Sequence, residues 1–189
     1  LEPLDLKLTL TSIMDSESGS VNIKEVFMAS PEDIARIILV GAGATMVMDA
    51  WLILMKALGV PTLNFAMVGR WVGHLPRGQF AHVNVGQARP IPGELALGWI
   101  AHYATGIVFA ALLVGVQGIG WLHAPTLAPA LAVGAATVAV PLLLIQPAMG
   151  AGVASSKTPT PLKNCLRSLL THTVFGLGLY LATVLIAQV

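Results

Sequence analysis

The chain has 189 residues, of which 56% are hydrophobic and only 10% charged, whereas soluble domains average about 45–50% apolar and about 25% charged residues. Residues 95–156 contain no Asp, Glu, Lys or Arg, and with a mean hydropathy of +0.80 this predicts an integral membrane protein rather than a soluble fold. The single cysteine, Cys165, excludes a disulfide scaffold, and the net charge of +1 gives no basis for nucleic-acid binding.

The first 27 residues are polar and contain five of the nine acidic residues, unlike the apolar chain that follows. A shorter chain could begin at Met28, and codons for Lys24–Phe27 can contain a purine-rich ribosome-binding sequence. We hypothesise that residues 1–27 come from an over-extended reading of the gene or from an expression remnant. The alternative is a disordered or loosely helical arm. Residues 28–189 are expected to form one four-helix transmembrane domain.

Four apolar stretches are long enough to cross a bilayer, which requires about 20 residues. The segment between the second and third stretches, residues 118–126, carries two glycines and Pro125, which break helices, and Trp121, which suits a membrane interface. It predicts a tight helical hairpin. The sequence thus predicts an all-α bundle with spans at about 34–57, 94–117, 127–150 and 165–188.

The long first loop, residues 58–93, contains a segment whose apolar residues recur at helical spacing. Residues 63–75 are expected to form a helix lying in the membrane interface, with Arg70 and Arg77 directed at lipid headgroups.

The basic residues predict an orientation in the membrane, because loops rich in Lys and Arg stay in the cytoplasm. Seven basic residues belong to the first and third loops and their flanks, whereas the side of the membrane opposite these loops has only Lys7, Lys24 and Arg36. We therefore expect a bacterial inner-membrane protein with both termini outside. The basic residues of the first and third loops and their flanks are Lys56, Arg70, Arg77, Arg89, Lys157, Lys163 and Arg167.

Ionisable residues inside a membrane span are energetically costly and therefore point to a site. With a rise of about 1.5 Å per residue, Asp49 and His102 lie about 12 Å, and His172 about 10 Å, from the cytoplasmic ends of their predicted spans. Gln146 lies closer to that surface, at about 6 Å.

Small and polar residues four apart extend these positions into stripes along the helices. Such stripes favour close helix packing and hydrogen bonding between helices, and they predict a polar pocket that opens toward the cytoplasm. Its other lining residues are predicted to be Thr45, Glu94, Gly98, Gly106, Ser168, Gly176 and Tyr180.

Four roles of the pocket stay open. The polar groups could only fix helix packing. Two imidazoles and a carboxylate suit a transition metal, to which His74 or His82 could add a ligand. His102 and His172 could be the axial ligands of haem b. Asp49 and the two histidines could also relay a proton or another ion.

Several segments resemble an uncharacterised family of bacterial four-span inner-membrane proteins, known as a domain of unknown function. The likeness covers about residues 34–180, and the segment before Met28 has no counterpart in the family. The resemblance implies the membrane architecture and no activity, and it places Asp49, His74, His82, His102, Gln146 and His172 in family motifs. These motifs are ATMVMDAW (44–51), GHLPRGQFAH (73–82), GWIAHY (98–103), QPAMGAG (146–152) and SLLTHTVFGLGLY (168–180).

Three functional hypotheses follow. The first is a non-enzymatic protein of the lipid bilayer whose pocket binds or passes a metal ion or proton. The second is an accessory subunit of an electron-transfer complex that holds haem or contacts quinone. The third is a structural scaffold. The glycine stripes are also compatible with a homo-oligomer or with a partner in a membrane complex.

Overall fold

The computed structural model describes residues 29–188, and the N-terminal arm hypothesised at residues 1–27 lies outside them. Within the described residues the chain forms five main helices and no strand. Four of these helices, all except α2, are long and apolar enough to cross a membrane, so the predicted four-span helical bundle is confirmed. The helices are α1 Pro31–Ala57, α2 Phe65–His74, α3 Glu94–Gln117, α4 Leu127–Ala148 and α5 Pro161–Ile186.

Local sequence explains where the spans begin and end. At the start of α1, the Ser30 hydroxyl accepts from the Asp33 N–H and the Asp33 carboxylate accepts from the Ser30 N–H, both at 3.1 Å, which satisfies two free backbone donors. Helix α5 begins at Pro161, not at the predicted Cys165, because proline fits the first helical position, where its missing N–H costs nothing. Within α4, residues Pro141–Ile145 form a π-helical turn.

Small residues set the packing of the bundle, in which α1 contacts α3 and α5, and α5 also contacts α4. A side chain at Gly41 would collide with the backbone of α3 at Ile107, and one at Gly178 with Ala44 of α1. Likewise, a side chain at Gly134 of α4 would collide with the backbone of α5 at Gly176, and one at Gly176 with the backbone of α4. The glycines therefore allow the helix backbones to touch.

The predicted helical hairpin of α3 and α4 is present, although most contacts of α4 are with α5. The turn contains a 3₁₀ segment at Ile119–Leu122, the two helices contact each other, and an apolar cleft of about 300 Å³ lies between parts of them. Gly134, the residue of α4 that permits close approach, faces α5 instead of α3. Apolar side chains such as Phe109, Leu112 and Val133 line the cleft.

The helices connect two chemically different ends of the bundle. At one end the Arg36 guanidinium donates to the Ile186 carbonyl at 3.1 Å, and His123 lies 3.8 Å from Asp33, so the start of α1, the turn after α3 and the end of α5 meet there. We call the opposite end the basic end. Its basic residues without an acidic partner among residues 29–188 are Lys56, Arg77, Arg89, Lys157, Lys163 and Arg167.

The short helix α2 lies at the basic end, against the first turns of α3. The backbones touch at two glycines, since a side chain at Gly69 would collide with the Glu94 carbonyl and one at Gly98 with the Phe65 carbonyl. The helix predicted in the first loop is thus present, and Asn64 caps it by accepting from the Ala66 N–H at 3.0 Å.

Candidate functional site

The structure brings together three polar side chains of α1 and α3, which we call the Asp49 cluster: Asp49, His102 and Tyr103. The His102 Nε2 atom lies 2.9 Å from Asp49 Oδ1, and the Tyr103 hydroxyl donates to Asp49 Oδ2 at 2.9 Å. Each carboxylate oxygen therefore has a hydrogen-bond partner on the neighbouring helix, as a polar group within a membrane requires.

Close packing of α1 and α3 positions this cluster. One turn further from the basic end, Gly106 lies against Thr45, whose hydroxyl donates to the Gly41 carbonyl at 2.8 Å. The side chains of Asp49 and His102 are only 14% and 12% exposed. Both residues are eight positions from the end of their helix, or about 12 Å at the rise of an α-helix, so the cluster lies well inside the spans.

The hydrogen bonds define which atoms carry protons. An ionised carboxylate only accepts hydrogen bonds, so with Asp49 ionised, His102 must donate through Nε2–H. A neutral imidazole has one N–H, and its Nδ1 then has a free lone pair. Among the described residues Nδ1 of His102 has no hydrogen-bond partner, which leaves it available to accept a proton.

Two aromatic rings cover His102 on the side of the basic end. The ring of Phe65, the first residue of α2, lies 4.6 Å from the imidazole between ring centres, and that of Trp99 lies 5.9 Å away. The two aromatic rings also contact each other at 4.2 Å. They separate the Asp49 cluster from an open groove of about 500 Å³, which we call the Lys56 groove. It is lined by Lys56, Val60, Pro61, Thr62, Leu63, Asn64, Phe65, Leu95 and Trp99.

His172 makes no hydrogen bond to this cluster, although the packing of α5 on α1 places it at about the same level as Asp49. Gly178 of α5 lies against Ala44 of α1, and His172 is six residues, and Asp49 five, from these contacts toward the basic end. Its Nδ1 atom lies 2.9 Å from the Thr137 hydroxyl of α4, and that hydroxyl donates to the Gly134 carbonyl at 2.6 Å. His172 therefore links α5 to α4.

His74 and His82 form a second histidine pair, at the basic end. His74 Nδ1 lies 2.8 Å from His82 Nε2, and the rings are tilted by 24°. Two nitrogens each about 2.0 Å from one tetrahedral Zn²⁺ would be about 3.3 Å apart, so the separation fits a hydrogen bond better than a shared metal. The backbone N–H of His82 donates to the Ala148 carbonyl at 2.8 Å, which holds the loop against the end of α4.

The remaining predicted lining residues have separate contacts. Gln146 accepts from the Ser155 hydroxyl at 2.8 Å, which holds the loop after α4. Tyr180 packs against the apolar core, and Gly98 faces α2 rather than α1. Ser168 is partly buried, without a side-chain hydrogen bond among the described residues. The predicted stripes thus face several helix interfaces and do not line one common pocket.

Arg70 does not face lipid headgroups as predicted. It is 7% exposed and forms two hydrogen bonds with the Glu94 carboxylate, at 2.8 and 2.9 Å. A third nitrogen, Nη1, donates to the carbonyls of Gly86 at 3.0 Å and Ala88 at 3.2 Å. The hydrogen bonds to Glu94 raise the pKa of Arg70 above its usual value. This pair fastens the first loop to α3, which explains why Glu94 does not face a pocket.

Within residues 29–188 no three His, Cys, Asp or Glu side chains lie close enough together to hold a metal ion. His102 hydrogen-bonds to Asp49 of α1 through Nε2 and His172 to Thr137 of α4 through Nδ1, so the two imidazoles belong to different helix contacts. Of the described ionisable residues inside the spans, Asp49 and His102 hydrogen-bond to each other.

Sequence reasoning did not identify Tyr103 or Phe65 as site residues. Tyr103 adjoins His102, and a tyrosine next to a buried histidine could have suggested a second donor for Asp49. Phe65 reaches the site only because α2 packs onto α3 through Gly69 and Gly98, and no periodicity in the sequence predicts that contact.

The fold and the cluster define a four-span helical membrane protein with a buried His–Asp pair. The chain belongs to the family described as Protein of unknown function (DUF2938), whose model matches residues 38–186. Searches among curated proteins and among solved structures find no match.

Replacing the pair in steps measures how the cluster contributes to stability. We expect His102→Phe to destabilise the protein by about 3 kcal/mol or more, because it removes one partner of a buried charge. The double variant Asp49→Leu/His102→Phe should recover most of this loss, because removing both partners leaves no unpaired charge. The measurement is reversible unfolding in detergent micelles.

Thr105→Ala is the matched control on α3, since the exposed Thr105 hydroxyl only donates to the Ala101 carbonyl of its own helix. If His102→Phe costs no more than Thr105→Ala, or if the double variant is as unstable as His102→Phe, the cluster does not hold a buried ionised carboxylate.

Proposed function

We propose that this integral membrane protein takes up and releases a proton at the Asp49 cluster, on the side of its basic end. The observation that carries the proposal is the pair of hydrogen bonds, both 2.9 Å, that His102 and Tyr103 make to the Asp49 carboxylate within the spans. An acid deep in a span is costly unless it is paired, and a histidine is the side chain whose charge changes between about pH 5 and pH 8.

The chemistry of the cluster favours proton binding over metal binding. A proton added to Nδ1 of His102 would make an imidazolium that still donates to Asp49 through Nε2, so the new charge would have a counter-ion at hydrogen-bond distance. Tyr103 would continue to donate to the other carboxylate oxygen. A metal ion would instead have to replace the His102–Asp49 hydrogen bond, and residues 29–188 offer no third ligand beside it.

Access to the cluster is expected from one side only. Toward the basic end, just Phe65 and Trp99 lie between His102 and the Lys56 groove. Toward the other end, the buried core contains the apolar residues Val40, Ile37 and Leu113, and the buried Thr45 and Thr183 hydroxyls there donate to carbonyls of their own helices. The proposed function is therefore reversible proton binding from one compartment, and not a continuous proton channel.

Nuclear magnetic resonance of ¹⁵N-labelled histidines in lipid bilayers tests the proposal. We expect His102 to be neutral with its proton on Nε2 at about pH 8, and to carry protons on both nitrogens at about pH 5. His102→Gln assigns the signal. His123→Gln is the control, because His123 lies in the turn after α3, outside the cluster, and its loss should leave the His102 signal unchanged.

If the His102 nitrogens keep the same protonation state from about pH 8 to about pH 5, the cluster only joins the helices and the proposed function is wrong.

We also propose that the protein lies in the bacterial inner membrane with both termini outside. The support is the charge distribution: six basic residues without acidic partners among residues 29–188 belong to the basic end, and Lys- and Arg-rich ends of membrane proteins stay in the cytoplasm. The other end has Glu32 and Asp33 beside its described basic residue, Arg36.

Cysteine labelling in intact cells tests this orientation. In a Cys165→Ser background, Ala124→Cys places an exposed thiol in the turn after α3, and Ser156→Cys places one at the basic end. We expect a membrane-impermeant maleimide to label Ala124→Cys and to label Ser156→Cys only after lysis. The reverse pattern would contradict the orientation.

A further inference from the structure

The Lys56 groove has the chemistry of a ligand site that the proton proposal does not use. It lies between the end of α1, the connection to α2 and the first turns of α3, and its volume of about 500 Å³ is within the range of small-molecule sites. Because α1 ends at Ala57 and α3 begins at Glu94, the groove lies where the spans leave the hydrocarbon. We propose that it binds one anionic phospholipid.

One side of the groove is polar and carries hydrogen-bond donors but no acid. Lys56 is exposed and has no acidic partner among the described residues. The Asn64 side-chain oxygen accepts from the Ala66 N–H at 3.0 Å as the cap of α2, so the Asn64 amide N–H₂ is free to donate elsewhere. Thr62 adds a hydroxyl to the lining. An ammonium group beside neutral donors favours a ligand with a negative charge, and a phosphate fits this set.

The other side of the groove is apolar and remains exposed. Leu63 is 52%, Leu95 55% and Trp99 37% exposed, although all three belong to the groove. Tryptophan at this depth is typical of the membrane interface, where one part of the side chain contacts acyl chains and another contacts headgroups. A free phosphate would leave this wall uncovered.

A phospholipid satisfies both sides at once, because its phosphate and its acyl chains are held at the fixed spacing of the bilayer surface. A purely apolar occupant would leave Lys56 without a counter-ion, and a zwitterionic lipid would bring its own cation next to that ammonium group. Charge complementarity therefore favours a phospholipid with a net negative headgroup, such as phosphatidylglycerol.

Native mass spectrometry of the full-length protein in detergent tests the proposal, with phosphatidylglycerol, phosphatidylcholine and glycerol phosphate as probes. We expect one phosphatidylglycerol to bind more tightly than phosphatidylcholine. Lys56→Gln should weaken phosphatidylglycerol binding about fivefold, as expected for one lysine at an anionic lipid surface. Leu95→Ala should weaken it as well, because that change removes part of the apolar wall.

Lys163→Gln is the matched control, since Lys163 is an exposed lysine of the basic end that does not line the groove. It should leave the binding of the one lipid unchanged. Circular dichroism confirms that the variants remain helical.

Three results would overturn the proposal: equal weakening by Lys56→Gln and Lys163→Gln, which indicates general attraction to charge; equal binding of phosphatidylcholine; or glycerol phosphate binding as tightly as the lipid. None of these results affects the proton proposal, whose measurement concerns His102 alone.

Discussion

The hydrocarbon of a membrane supplies no hydrogen-bond partner, so a polar side chain within the spans is stabilised when it finds one inside the protein. In the described bundle each such pairing joins two helices or closes on a nearby carbonyl. Asp49 of α1 bonds to two residues of α3, His172 of α5 bonds to Thr137 of α4, and the Thr183 hydroxyl donates to the Leu179 carbonyl. These bonds need close backbones, which the glycines of the interfaces allow.

The spans were predictable because their signal is local. Length and apolar composition decide whether a segment can cross a membrane, and all four predicted segments correspond to helices. What the sequence did not predict is where some helices begin and which helices contact each other. The predicted start of the last span missed Pro161, although proline is common at the first helical position. A sequence also does not say which neighbour a small residue will face, and Gly134 of α4 packs on α5.

The candidate site was predictable in part for the same reason. The depth of a residue along a helix follows from residue counts, and it correctly predicted that Asp49 and His102 lie at the same level. Depth alone also grouped His172 with them, but it does not give the direction in which a side chain points, and His172 faces α4. The contributions of Phe65 and Arg70 depend on how the short helix α2 docks on α3, a long-range contact with no periodic signal.

The hydrogen bond between the Asp49 carboxylate and the His102 imidazole joins α1 to α3 within the spans. Solid-state magnetic resonance can measure the distance from the ¹³C-labelled Asp49 carboxyl to the ¹⁵N-labelled His102 ring in lipid bilayers. We expect a strong coupling to Nε2 at about 4 Å or less, as a hydrogen bond of 2.9 Å requires. A coupling from Asp49 to His172 instead, or no coupling to His102, would contradict it.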